Sequence, residues 1–369
     1  MAFRILYNDL SKHLFDVFTR DLDGDVIFGN QCFLMGLRAL YHGTSGDTRT
    51  ELECKPFREL FAMQTTHHPP TTEAIALLSR GDVGDIQSAF VTNIIDNCTK
   101  HFLHSRIISD EVDTQEKRLR MAKNVNAWFE EHSDGLINGI VNAGGVSMKN
   151  GAMSMVIMSI FKAMWETPFT DGTMKSTFFQ SNSTVEIDMM LNTTDEFAYV
   201  NTIMEKKLKA TIVKFPYYNN FGSLIAIMPN EPADKDQLST ILQQVELDTL
   251  FQSFTEVECC GQSMPRFVTE TQIVLNEGMS RVEGLKHLTR LGADFSNMFE
   301  GGIPHECMSF KLKTTIENTE YGTEVVSKME VDAFDGVLKG RNICLNKPFL
   351  YFIVNTDSFI YSIGMFLGE

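Results

Sequence analysis

Between Thr323 and Phe334 the chain alternates. Thr323, Val325, Ser327, Met329, Val331 and Ala333 are small or apolar, Glu324, Lys328, Glu330 and Asp332 lie between them, and Val326 and Phe334 fall out of step. A period of two is that of a strand with one buried face. The same segment is charged, has Gly322 at its base and runs on into Asp335, Gly336, Gly340, Arg341 and Asn342, which is the composition of an exposed loop. The pattern predicts a segment that can serve as loop and as strand at different times.

Elsewhere the apolar spacing is more conventional. Phe3, Leu6, Leu10, Leu14 and Val17 share one helical face and predict a core helix. Asp23-Gly24-Asp25 turns into a short strand at 26–28, followed by a buried helix over 31–41 that 43–48 closes. Residues 123–132 read as a helix carrying Trp128 and Phe129, and 153–165 as a strand apolar on both faces. Strands are expected over 184–190, 197–200, 211–215, 224–228, 266–275 and 349–365, with a helix over 238–254. Residues 49–123 are weakly patterned. Helices gather in the first half and strands in the second, which implies an α+β fold with mainly antiparallel sheets.

Composition narrows the function. No Pro/Gly/Ser-rich linker divides the 369 residues, so a single domain over 1–369 is expected, and 28 Phe and 20 Met give it a sizeable core able to repack. A net charge of −16 argues against nucleic acid or an anionic membrane as partner. Seven scattered cysteines fit free thiols better than a disulfide frame or a metal site. His101 and His104 lack a third ligand, His67-His68 sits between loop residues, and no Gly-x-Ser-x-Gly, Gly-x-Gly-x-x-Gly or Walker loop is present. No enzyme, metal or cofactor is expected. Asp9, Lys12, His13 and Asp16 break any apolar leader, which points to the cytoplasm or to unconventional export. The sequons at Asn97, Asn182 and Asn192 matter only on a secretory route.

Several stretches, in order and spread over nearly the whole chain, together resemble the serpin family. They are Val125-Asn126-Ala127-Trp128-Phe129-Glu130, Phe161-Lys162-Ala163-Met164-Trp165 with Pro168-Phe169, Phe215-Pro216-Tyr217, Met264-Pro265-Arg266-Phe267, Ala293-Asp294-Phe295-Ser296, Glu320-Tyr321-Gly322-Thr323-Glu324 and Lys347-Pro348-Phe349. The resemblance implies an α+β serpin fold: helices clustered around a large mixed or antiparallel central sheet and two smaller sheets, with an exposed reactive loop at about 320–345. It implies a monomeric suicide-substrate inhibitor of a serine protease, whose cut loop inserts into the central sheet. The inward set from Thr323 to Ala333 holds no charge, so insertion would bury no unpaired ion. Two further readings stay open, a non-inhibitory serpin that binds a ligand or client, and a cross-class inhibitor of cysteine proteases.

The same resemblance assigns residues. The hinge is Glu320, Gly322, Thr323, Glu324, Val325, Val326 and Ser327, bulkier than the family's usual alanines. The sheet-opening region is Trp165, Arg266, Ile157, Leu312, Gly29 and Cys32. Ile157 and Leu312 stand where the family keeps a hydrogen-bonding Asn and His, and Arg266 and Glu320 where it keeps an ion pair. Counting along the loop puts the reactive bond among Gly336, Val337 and Leu338, with Lys339 and Arg341 as alternatives. An elastase- or chymotrypsin-like target ranks first and a trypsin-like one second.

Overall fold

The first helix, α1, forms over Ala2–Thr19, but its buried face is rotated from the expected one. Leu10 and Leu14 are buried as predicted, Phe3, Leu6 and Val17 only partly, and Phe15 and Phe18 fill the core instead. Buried Asn8 accounts for the turn: its Nδ2 donates to Ser358 O (2.8 Å) and its Oδ1 accepts from Ile360 N (3.1 Å), directing that face at the C-terminal hairpin.

The computed structural model describes residues 2–54, 57–62, 71–79, 103–109, 114–143, 153–192, 197–290, 292–297, 308–323 and 341–369. They divide into two compact units, Met1–Phe28 with Phe161–Glu270 and Ile316–Glu369, and Gly29–Ile160 with Thr271–Thr315.

The first unit contains a ten-stranded sheet. Its order is β1 (Val26–Phe28), β17 (Ile360–Phe366), β16 (Phe349–Val354), β10 (Ser223–Pro229), β9 (Ala210–Pro216), β8 (Phe197–Val200), β11 (Thr255–Pro265), β7 (Thr184–Asn192) and β6 (Thr173–Phe179). β15 (Arg341–Cys344) adds to β11 in parallel. β11 joins what would otherwise be two sheets: Thr255–Glu258 pair with β8, Gln262–Pro265 pair with β7, and the register shifts between Cys259 and Gly261. A bulge there bends the strand from one ladder into the next. The two smaller sheets expected from the resemblance are therefore continuous.

The second unit holds α2 (Asn30–Tyr41), α3 (Gly46–Leu52), α4 (Phe57–Ala62), α5 (Gln115–His132), β2 (Thr71–Ser79) and β3 (Leu103–Ser109). The five-stranded sheet has the order β12 (Phe267–Val274), β13 (Met308–Asn318), β4 (Met153–Phe161), β2, β3. β2 pairs with β3 in parallel, as does β4 with β13, so this sheet is mixed. β4 is covered on both faces, as its apolar run predicts. Val156, Met158 and Ile160 pack with Val125, Trp128 and Phe129 of α5, while the Ile157 side chain reaches Gly36 of α2, where an added Cβ would lie 2.6 Å from its Cδ1.

Three further expectations are corrected. The helix over 238–254 is two, α6 excepted from the count by lying earlier at Thr202–Leu208: α7 (Lys235–Gln244), opened by an Asp234/Gln237 capping box, and α8 (Leu247–Gln252). Val245 between them is extended (φ −65°, ψ 120°) and buried, so packing overrides the helical period. The run 349–365 is a hairpin, turned where Asn355 N donates to Phe359 O (3.0 Å) and Phe359 N to Asn355 Oδ1 (2.8 Å). Residues 43–48 do more than close α2, because Ser45 N is held by Asp294 O (3.0 Å) and α3 starts there. β6 and β11 escape the pattern altogether; β6 is largely exposed and β11 has partners on both edges, so neither carries a clean period of two.

Candidate functional site

Two groups of the resemblance-assigned residues come together, one in each unit. In the first unit the chain leaves β13 through a tight turn: Thr319 N and Oγ1 both donate to Gly322 O (2.8 Å each), and Gly322 N returns to Thr319 O (3.3 Å). Gly322 and Thr323 then form β14, antiparallel to β5 (Ala163–Met164). A Cβ on Gly322 would lie 2.2 Å from Ala163 O, and its φ of +155° is one that side chains resist, so only glycine allows this close pairing.

Trp165 organises the turn. Its backbone N donates to Tyr321 O (2.9 Å), its Nε1 donates to Thr319 O (2.9 Å), and Phe169 N donates to Glu320 O (2.8 Å). The indole stacks on Tyr217 with centroids 4.7 Å apart and planes 10° from parallel. The Tyr217 hydroxyl is hydrogen-bonded to Thr323 Oγ1 (3.0 Å), and both residues are buried. Burial pushes the Tyr217 phenol above its ordinary range, partly offset by Thr323, so the pair stays neutral.

Glu320 and Arg266 meet as the sequence expects, with Nε 3.5 Å from Oε2. That spacing is an ion pair without close hydrogen bonding; the stronger contact of Glu320 is the hydroxyl of Thr173, which donates to Oε1. Asn318 Nδ2 adds a bond to Pro265 O (2.8 Å). The chain is thus anchored through Thr323. It is described again from Arg341, whose guanidinium pairs with Glu205 of α6 while Glu205 also accepts Ile212 N (3.1 Å). Glu324, Val325, Val326, Ser327, Gly336, Val337, Leu338 and Lys339 lie outside the described residues.

In the second unit Ile157 and Leu312 are direct register partners across the parallel β4/β13 pair, both fully buried. α2 begins against this seam. Gly29 N donates to Thr314 Oγ1 (3.1 Å), and Cys32 Sγ lies 3.1 Å from Met158 O as donor. A Cβ on Gly29 would lie 2.9 Å from both Ser159 Cβ and Thr314 Oγ1, so the helix start is in contact with the strands. The seam is apolar at its centre, and its hydroxyls, Ser159 and Thr314, stand two residues further along each strand.

Thr314, Ser159, Gly36, Thr319, Thr173 and Glu205 had no role in the sequence reading, and Tyr217 entered it only as part of a motif. A Thr or Ser inside an apolar strand is a signal for Thr314 and Ser159; the others carry none. Among the described residues no three His, Cys, Asp or Glu form a metal-sized group, and Cys32, Cys54, Cys259, Cys260 and Cys344 are not in disulfides. His67, His68, His101, Cys98, Cys307 and Asn97 lie outside the described residues. No described helix is long and apolar enough to cross a membrane.

A glycine turn held by Trp165 and Tyr217 marks one unit, and a parallel pair of strands with an apolar register pair marks the other. The serpin (serine protease inhibitor) family model matches residues 6–368, and the chain belongs to that family. It is 25% identical over 281 residues to human Serpin B13, covering 74% of this chain and 69% of that one. It is 24% identical over 366 residues to intracellular coagulation inhibitor 2 of Tachypleus tridentatus, covering 94% and 85%. Among solved structures, Serpin48 of Tenebrio molitor aligns with a TM-score of 0.79 at 17% identity, over 100% of this chain and 98% of that one. A thyroxine-binding globulin complex with thyroxine aligns at 0.78 and 17%, over 98% and 99%. The fold is that of a serpin, α+β with a central mixed sheet, and the family is one of inhibitors rather than enzymes, although it includes a binding globulin.

Proposed function

We propose that the chain, as one domain and a monomer without cofactor, inhibits a serine protease as a suicide substrate. The protease serine attacks the scissile carbonyl of the reactive loop, the peptide bond breaks with release of the new amine, and the acyl-enzyme is carried as the loop inserts between β4 and β13. The observation that carries this reading is the seam: two parallel strands side by side, whose register pair Ile157 and Leu312 is buried and carries no polar side chain to hold the ladder shut. Parting that seam leaves no polar side chain of the central pair unsatisfied, and an incoming strand with an uncharged inward set restores the ladder on both edges.

The bond among Gly336, Val337 and Leu338 remains the proposed target, which suits an elastase- or chymotrypsin-like pocket. Arg341 is disfavoured as the cut site, because its guanidinium is paired with Glu205 and its backbone with β11. Lys339 remains the trypsin-like alternative. The cytoplasm, or release by an unconventional route, is the proposed compartment, in keeping with a relative named as intracellular. Incubation with elastase, chymotrypsin, trypsin and a papain-type cysteine protease tests the reading. A covalent complex with a serine protease that survives denaturation supports it, and one with the cysteine protease alone moves the target class. Cleavage without complex favours the second reading, a ligand- or client-binding serpin, to which the β-branched Val325-Val326 hinge lends weight.

A further inference from the structure

Trp165, besides holding the loop base, lines a cavity of about 460 Å³ within the first unit. That is the size range of small-molecule sites. Phe197, Tyr199 and Phe215 supply further aromatic wall, Phe197 with 63% of its surface exposed. One cation sits among them. Lys214, on β9, is half-buried, with Nζ 5.5 Å from the Tyr199 ring centroid and 5.9 Å from that of Phe254. It makes no hydrogen bond or ion pair to any described residue.

That ammonium is in an unusual position. A lysine that merely lays its stem on an apolar surface keeps its head in water. Here burial pulls the Lys214 pKa down, and exposed Glu166, at the cavity wall, only partly pushes it back. The two rings stabilise the charge from their faces but offer it no acceptor. The Tyr199 hydroxyl is engaged by Glu256, so Lys214 is left as the strong donor of the cavity among the described residues.

We propose that this cavity is a binding site for a small aromatic monocarboxylate, its ring against Phe197, Tyr199 and Trp165 and its carboxylate on Lys214. One cation matches one negative charge, and Glu166 beside it would repel a second, which selects against phosphates and dicarboxylates. The net charge of −16 gives anions no long-range attraction to this molecule, so selectivity has to come from the local pair and the rings.

Calorimetric titration of the intact protein with naphthalene-2-carboxylate, and in parallel with 2-naphthamide of nearly the same shape, tests the assignment without any substitution. The carboxylate should bind tighter by about tenfold or more, the value of one charge-assisted contact. Lys214→Met should erase that preference, Lys214→Arg should keep it, and Phe197→Ala should weaken both ligands together. Equal affinity of the two ligands for the wild-type protein, no binding of either at millimolar concentration, or a preference that survives Lys214→Met would each overturn the proposal.

Discussion

Replacing Ile157 by Asn and Leu312 by His, singly and together, probes the apolar seam directly. The two residues are register partners with no exposed surface. Each single change removes an aliphatic side chain, worth about 1.5–3 kcal/mol when fully buried, and strands a polar group at a cost of about 1–3 kcal/mol. Ile157→Asn also empties the space beside Gly36 that Cδ1 fills. Each single variant should therefore lose about 3–5 kcal/mol. In the double variant the amide and the imidazole face one another and can form the hydrogen bond that neither has alone. Its loss should be smaller than the sum of the singles by about 1–3 kcal/mol, the range for coupled neighbours. The assay is equilibrium urea unfolding of the uncleaved protein, followed by circular dichroism for all four members of the cycle. Strict additivity would refute the reasoning, since it would mean that the side chains at 157 and 312 do not meet.

Four further outcomes are expected. Cleavage near Gly336 should raise the melting temperature, as loop insertion completes the ladder between β4 and β13; an unchanged scan before and after cleavage would sink the insertion mechanism. Thr323→Arg puts a charge where a buried hydroxyl now bonds Tyr217, and should turn an inhibitor into a substrate, read as loop cleavage without complex; unimpaired complex formation would contradict it. Mass spectrometry of the fragment released from a protease complex should find a new N-terminus between Val337 and Lys339, whereas Gly340 or Asn342 would transfer the site to the basic residues. Asp25 accepts Leu367 N and Gly368 N, yet burial raises its pKa to about 6 from 3.8. A folded-state pKa above the unfolded one means that the ionised group weakens the fold above pH 6 and that this loss is relieved as pH falls toward 4. Asp25→Asn, which keeps an acceptor, should thus be more stable than wild type by about 1–3 kcal/mol at pH 8 and lose that advantage at pH 4. Urea titrations at both pH values check the sign, and a variant weaker at pH 8 would reverse it.

Much of the fold was legible from single residues and their spacing. The doubly apolar run of β4 announced a strand with cover on both faces, and helices α5 and α2 supply one face each. Arg266 and Glu320 were legible as a pair only through the resemblance, which places a basic and an acidic residue at those two motif positions; they meet at 3.5 Å. Ile157 and Leu312 were legible because an aliphatic residue at two expected polar positions is itself informative. β11 was not legible: a strand with partners on both edges and a bulge between Cys259 and Gly261 owes its path to its neighbours, and its own residues carry no period.

The sequence by itself determined the class of fold and the uncharged alternation from Thr323 to Ala333, because burial and charge are properties of residue type and spacing. Tertiary structure alone decided where the loop is held. Thr323 is an ordinary small polar residue until Tyr217, far away in the chain, offers a buried hydroxyl at 3.0 Å, and Tyr217 is in place because Trp165 stacks on it. Lys214 likewise reads as one charge on a strand, and only the fold places it half-buried between the Tyr199 and Phe254 rings. Hydrogen bonds and desolvation depend on distances of a few ångströms between residues remote in sequence, and no local pattern encodes those distances.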